Sequence, residues 1–195
     1  NNCVGNVYST IGGGWSNNVT GGCATVAGGR ANNVLVNLGF VGGGYSNYVS
    51  AGSYGVIVGG LSNVVSQSYG SIGGGRSNCA TAVYSTASGG CGSTSSGYGS
   101  TIGGGIANVS SCFYSTVSGG WQNRASGYAS AVSGGLCNCP SASYSISAGG
   151  RENDACAVYS TVSGGYHGKA SRYGEVAHAA GKFAQKGDAQ HSTFV

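Results

Sequence analysis

Carboxylates are nearly missing from this chain. No Asp or Glu occurs before Glu152, and the first 151 residues carry only Arg30, Arg76, Arg124 and Arg151 as charges. General acid–base catalysis and hard-cation binding draw on carboxylates, so most of the chain cannot host a carboxylate active site. Charged residues make up only 6%, and the net +4 is scattered, without the clustered Lys/Arg footprint of a nucleic-acid binder. Proline occurs once and methionine never. With so little proline and no glycine at every third position, a collagen helix is excluded. No apolar run is long enough to span a membrane. The chain opens on Asn1-Asn2-Cys3 and closes on Ser192-Thr193-Phe194-Val195, which reads as mid-strand. The expectation is a piece of a longer protein, so a missing leader says nothing about compartment.

Glycine is what the chain has in excess, 41 of 195 residues, while apolar residues still reach 40%. That hydrophobicity argues against a disordered linker and points to a repeat. Glycine pairs fall at Gly13-Gly14, Gly28-Gly29, Gly43-Gly44, Gly59-Gly60, Gly74-Gly75 and Gly89-Gly90. They continue at Gly104-Gly105, Gly119-Gly120, Gly134-Gly135, Gly149-Gly150 and Gly164-Gly165. Every step is 15 residues except the 16 from Gly44 to Gly60, and Ala179-Ala180 holds the phase once more. Three residues before the second glycine stands Ile11, Val26, Val41, Ile57, Ile72, Ile102, Val117, Val132 or Val162. Three residues after it stands Asn17, Asn32, Asn47, Asn63, Asn78, Asn108, Asn123, Asn138 or Asn153. Six before it stands Tyr8, Tyr54, Tyr69, Tyr84, Tyr114, Tyr144 or Tyr159, with Tyr98, Tyr128 and Tyr173 displaced by one.

The unit Tyr-Ser-Thr-Ile reads as a short strand, being aromatic and β-branched between turn residues. The glycines that follow make a corner, since only glycine takes positive φ freely. A second extended piece, as in Trp15-Ser16-Asn17-Asn18-Val19, and another small-residue turn complete the coil. The expectation is all-β: a β-solenoid of about 12 coils, two strands and two corners per 15 residues. Coils stacked about 4.8 Å apart would align identical residues, giving roughly 58 Å in all. The Ile/Val positions then form the core stripe, and the asparagines form a hydrogen-bonded ladder. A helix is excluded by paired glycines at about 1 kcal/mol each. One Ile or Val per coil is a thin core, and the tyrosines need cover too. A closed homo-oligomer would supply it.

Units such as Tyr8-Ser9-Thr10-Ile11-Gly12-Gly13-Gly14 and Tyr159-Ser160-Thr161-Val162-Ser163-Gly164-Gly165 resemble the repeats of trimeric left-handed parallel β-rolls. Such rolls occur in YadA-like heads of trimeric autotransporter adhesins and in phage tail fibres. The likeness covers about residues 5–181, although the adhesin coils are usually shorter by one residue. Gly181-Lys182-Phe183-Ala184 with Gly187-Asp188-Ala189-Gln190-His191-Ser192 resembles a segment that follows such repeats in tail-fibre proteins. The resemblance implies a homotrimeric, non-enzymatic stalk or collar on a virion or cell surface. It would join further segments of the same fibre and present a host-binding tip to a receptor or glycan. Residues 1–181 form the solenoid on this reading, and 182–195 a cap or the next segment. Similar repeats also occur in algal surface proteins.

Other features allow chemistry in principle. The eight cysteines, Cys3, Cys23, Cys79, Cys91, Cys112, Cys137, Cys139 and Cys156, lack the in-phase adjacency that neighbouring-coil disulfides need. Free thiols acting as small core fillers are expected, with interchain or irregular disulfides, or a metal half-site at Cys137 and Cys139, as the alternatives. The triple glycines lack the Gly-Lys-Ser/Thr and helix of a phosphate loop. His167, His178 and His191 near Glu152, Asp154, Glu175 and Asp188 read as a polar cap at the solenoid end. No catalytic residue, metal or cofactor is expected. Asn18 and Asn108 begin Asn-x-Ser/Thr glycosylation triplets. Thr10, Thr25, Thr86, Thr101, Thr116 and Thr161 share a phase, as an ice-binding rank would, but Phe40, Val56, Ser71, Ala131, Ile146 and Val176 interrupt it. Exposed Trp15, Trp121 or Tyr45 could stack on sugars.

Overall fold

The computed structural model describes residues 1–194. They divide into two compact units, one of residues Asn1–Gly99 and one beginning at Ser100. Each consists of six turns of a parallel β-solenoid, and no described residue is helical.

In the first unit, strands Asn18–Val19, Asn33–Val34, Tyr48–Val49, Val64–Val65 and Cys79–Ala80 stack in parallel, one residue pair directly on the next. Thr10–Ile11, Thr25–Val26, Phe40–Val41, Val56–Ile57, Ser71–Ile72 and Thr86–Ala87 form a second parallel stack. A third line consists of single-residue bridges through Trp15, Arg30, Tyr45, Leu61, Arg76 and Cys91. The sixteen-residue step leaves every register intact. Its extra residue lies in the turn between Val49 and Val56, where Gly52 takes φ 78°.

The second unit repeats the plan. Thr101–Ile102, Thr116–Val117, Ala131–Val132 and Ile146–Ser147 stack in parallel, followed by the longer Thr161–Gly165 and Val176–Gly181. Ala189–Thr193 then turns back antiparallel on Val176–Gly181. On the other side, the coil of Arg124–Ala125 meets that of Cys139–Pro140 through Arg124 N–H to Asn138 O and through the Ser126 and Gly127 N–H groups to Pro140 O. Proline has no N–H to add to this ladder.

The coil departs from the sequence reading at its corners. The strand is only Thr10–Ile11, not Tyr-Ser-Thr-Ile, because Tyr8 itself turns the chain at φ 56°. Every tyrosine of that phase, Tyr54, Tyr69, Tyr84, Tyr114, Tyr144 and Tyr159, sits at φ between 57° and 61°. The residue two after the glycine pair does the same, as at Ser16, Ser46, Gln122 and Glu152. The coil is therefore turned by non-glycine residues in the left-handed region as well as by glycine, each at roughly 1 kcal/mol of backbone cost. Between such corners most strands are two residues long, and Thr161–Gly165, between Tyr159 and His167, is longer.

The two glycines of a pair differ. Gly105 has φ 87°, and a Cβ there would lie on the Gly120 carbonyl oxygen and 2.6 Å from Asn108 Nδ2. A Cβ on Gly104 would meet nothing within 4 Å, and the same holds for Gly13, Gly28 and Gly74. Gly14, Gly29, Gly44 and Gly75 repeat the crowding of Gly105, whereas a Cβ on Gly43 has only one atom, 4.0 Å away.

The core carries two apolar ladders rather than one. Val26, Val41, Ile57, Ile72, Ile102, Val117, Val132 and Val162 are fully buried, and Ile11 in the first coil is partly buried. Facing them are Val19, Val34, Val49 and Val65 in the first unit, and Ala125, Ala155 and Ala170 in the second. A rung of small residues fills the remaining side, including Ser85, Ser115, Ser130, Ser145 and Ser160. Ser115 Oγ donates to Cys112 O at 2.7 Å and accepts from Cys112 N–H, so the buried hydroxyl closes its own turn.

All nine asparagines of the ladder are buried. Asn32 is typical. Its Nδ2 donates to Gly28 O in its own coil at 3.1 Å and to Gly44 O in the next at 3.0 Å. Its Oδ1 accepts the N–H of Asn47 at 3.0 Å. The ladder is thus mainly side chain to backbone, with side-chain pairs such as Asn47 Nδ2 to Asn32 Oδ1 added in places. Each asparagine thus supplies a partner to two backbone groups that the buried corner leaves without one, here Gly28 O and the Asn47 N–H, and a second donor to Gly44 O, which also accepts the Arg30 N–H.

Candidate functional site

With the core filled by aliphatic residues and asparagine, the groups able to meet a partner are the outward ladders and the C-terminal end. The left-handed corner projects each tyrosine outward. Tyr54, Tyr69 and Tyr84 stack face to face, with centroids 5.0 and 4.9 Å apart and planes within 14°. Tyr98 meets Tyr84 edge-on at 5.5 Å. In the second unit Tyr114, Tyr128, Tyr144, Tyr159 and Tyr173 form a similar line, in which Tyr144 and Tyr159 stack at 5.0 Å. The rings stay about half exposed, as at Tyr84 with 50%. In the first unit the line fails at Cys23 and Leu38, which border a shallow depression with Val7.

The line of single-residue bridges also faces outward. Arg30 lies over Trp15 at 4.5 Å and over Tyr45 at 5.4 Å. Both rings thereby lend a face to a cation. Trp121 is 53% exposed and bridges Ile106 and Leu136. The threonine rank is interrupted in the structure as in the sequence. Thr10 pairs with Thr25 and Thr101 with Thr116, but Phe40 and Ala131 follow.

The cysteines are not core fillers. Cys3, Cys23 and Cys156 are exposed, the other five are intermediate, and all eight are free. They occupy corners and outward rungs because the inward rungs are already set by valine, serine and asparagine. Cys137 turns a corner at φ 55°, so it and Cys139 are not one extended segment. Burial pushes the Cys79 and Cys139 thiols up, with Asp154 adding to the effect at Cys139, which keeps both protonated and poorly nucleophilic. Among the described residues no group of three or more His, Cys, Asp and Glu is placed to hold a metal. Asn108 is committed to the buried ladder through Gly104 O and Gly120 O, whereas Asn18 is half-buried on an outward rung.

The C-terminal His and acidic residues organise the last coils. Asp188 accepts N–H groups from Phe183, Ala184 and Gln185 at 2.6–2.8 Å, which fixes the turn before the antiparallel strand and holds its carboxyl below the usual range. The Gln190 side chain imitates a strand, accepting Lys169 N–H at 2.8 Å and donating to Lys169 O at 2.7 Å. It thereby covers the backbone edge of Lys169–Ala170, a role its residue type did not announce. Glu175 stands where earlier coils have serine and accepts Ser171 and Arg172 N–H. His167 is buried at a left-handed corner against Tyr166, and its Nδ1 lies 3.3 Å from Glu152 without a well-directed hydrogen bond. Its backbone carbonyl accepts Gly187 N–H. Burial is the main cause holding this imidazole below its ordinary pKa, with Lys182 next. His178 is exposed beside Ser163 Oγ at 3.4 Å, and it pairs across the strands with His191.

Together these features define a parallel β-solenoid with aromatic outer ladders. No protein-family model matches the chain, and no curated protein matches it either.

Proposed function

We propose that this chain is a non-enzymatic structural segment of a fibre, a stalk or collar in which three copies of a left-handed roll close their tyrosine ladders on one another. The observation that carries the reading is the tyrosine at the left-handed corner. Glycine serves the same corner at Gly99 and Gly174 without backbone cost. Tyrosine there puts a half-exposed aromatic on nearly every coil. A second copy of this chain has the same rung spacing by construction, so ring can meet ring along the whole line. The assignment to a viral tail fibre, exposed on the virion and carrying a host-binding tip, rests on the resemblance of the repeats and of residues 181–192. Glycan binding by the tyrosine ladder is disfavoured where rings occupy one another's faces, as in the stack of Tyr54, Tyr69 and Tyr84. Ice binding is disfavoured by the broken threonine rank.

Native mass by light scattering tests this. The expected value is three times 19.0 kDa, unchanged by reductant. The variant Tyr54→Gly/Tyr69→Gly/Tyr84→Gly should keep its β circular dichroism and lose the higher mass. A wild-type monomer overturns the reading.

A further inference from the structure

We propose that the cavity beneath the C-terminal strand binds an oxyanion carried on a compact polar molecule, such as the carboxylate of an acidic sugar. It goes beyond the structural role and does not depend on self-association. The cavity has a volume of about 380 Å³, the low end of small-molecule sites.

Its free polar groups are nearly all donors. Lys169 and Arg172 line it, and neither forms an ion pair among the described residues. Arg172 is held in place by the Phe194 ring at 4.8 Å, and its guanidinium donates to no group among the described residues. Lys186 also lines the cavity and spends one donor on Asp154 at 3.0 Å. Ser171 and Ser192 add hydroxyls.

The acceptors are turned to groups of the wall itself. Glu175 is 97% buried by its 3% exposure. Its Oε2 takes two backbone N–H groups, and its Oε1 takes Gln190 Nε2 at 3.3 Å. Gln190 in turn directs its amide to Lys169, Glu175 and Ser192. A wall in which Lys169 and Arg172 are unpaired among the described residues, and Glu175 and Gln190 are turned to the wall's own groups, is complementary to an oxyanion, and arginine can grip one with two parallel bonds.

The test is titration of the full chain with sodium glucuronate, sodium phosphate and glucose, read by amide chemical shifts. Glucuronate should give saturable shifts centred on Ser171, Arg172 and Gly187, and glucose none. Saturation by phosphate but not glucuronate would keep the oxyanion and exclude the sugar source. Arg172→Gln and Lys169→Gln should each weaken binding about tenfold, with melting unchanged because both side chains are exposed. No saturable shift with either anion, equal response to glucose, or undiminished binding in both variants would overturn the proposal.

Discussion

Asn138 gives its backbone N–H to the side-chain Oδ1 of Asn123, one coil earlier, at 2.9 Å. Asn123 meanwhile donates to Gly119 O and Gly135 O, both at 2.9 Å. One side chain thus bonds three backbone groups at a buried corner. Asn123→Ala leaves Gly119 O and the Asn138 N–H without partners, while Gly135 O keeps the Trp121 N–H. At about 1–3 kcal/mol for each buried group, the loss should reach about 2–5 kcal/mol in urea melts, and Asn123→Ser should fall between. A loss under about 1 kcal/mol would show that water replaces the amide.

The paired glycines should respond unequally. Gly105→Ala meets backbone oxygen and a left-handed φ, and should cost about 3 kcal/mol or more. Gly104→Ala adds a methyl to open space and should cost no more than about 1 kcal/mol. Equal losses in thermal melts would mean that the pair acts through chain flexibility instead.

Ser147 occupies the core ladder between Val132 and Val162, fully buried, and its hydroxyl has no partner among the described residues. Valine already stacks on valine at this rung between Val117 and Val132, so the space suits it. Ser147→Val should stabilise by about 1–2 kcal/mol through apolar burial and removal of the orphan hydroxyl. A lower melting midpoint would refute the packing argument.

His167 sets a pH dependence. Its folded pKa is lowered, whereas in the unfolded chain it titrates near about 6.5. The unfolded state therefore takes up the proton first. Stability is full above the unfolded pKa and declines as pH drops from about 7 toward 5. Glu152, Arg151, Lys182 and Lys186 are the charged groups around it. Glu152 and Asp188, whose pKa values are also lowered, lose their contribution only at more acid pH, as the folded carboxylates protonate. His167→Gln should flatten the decline between pH 7 and 5 in melting midpoints. An unchanged slope would assign it to other groups.

The repeat, the strand phase, the Ile/Val ladder positions and the asparagine positions were all legible, because each depends on a residue type recurring every 15 residues. The corner at Tyr54 was not. Tyrosine favours strands by propensity, and the left-handed conformation there is imposed by closure of the coil. The valine ladder through Val19 and Val34 was visible as Asn-x-Val but gave no sign of pointing inward until the corner at Ser16 was known. The cysteines misled because their size suits a core, yet their phases belong to outward rungs. Gln190 offered no pattern at all, since its strand mimicry depends on a single long-range encounter with Lys169.

The reach of the asparagine bonds, four residues back and one coil ahead, has a genetic corollary. Between coils that both carry the asparagine, a duplication or deletion of one whole coil restores the bonds it displaces, so recombination between neighbouring repeats can change copy number and keep the ladder. Insertion of a single codon between Gly12 and Asn17 has no such escape. The turn between Val49 and Val56 is where this chain accommodates its one departure from the 15-residue rhythm.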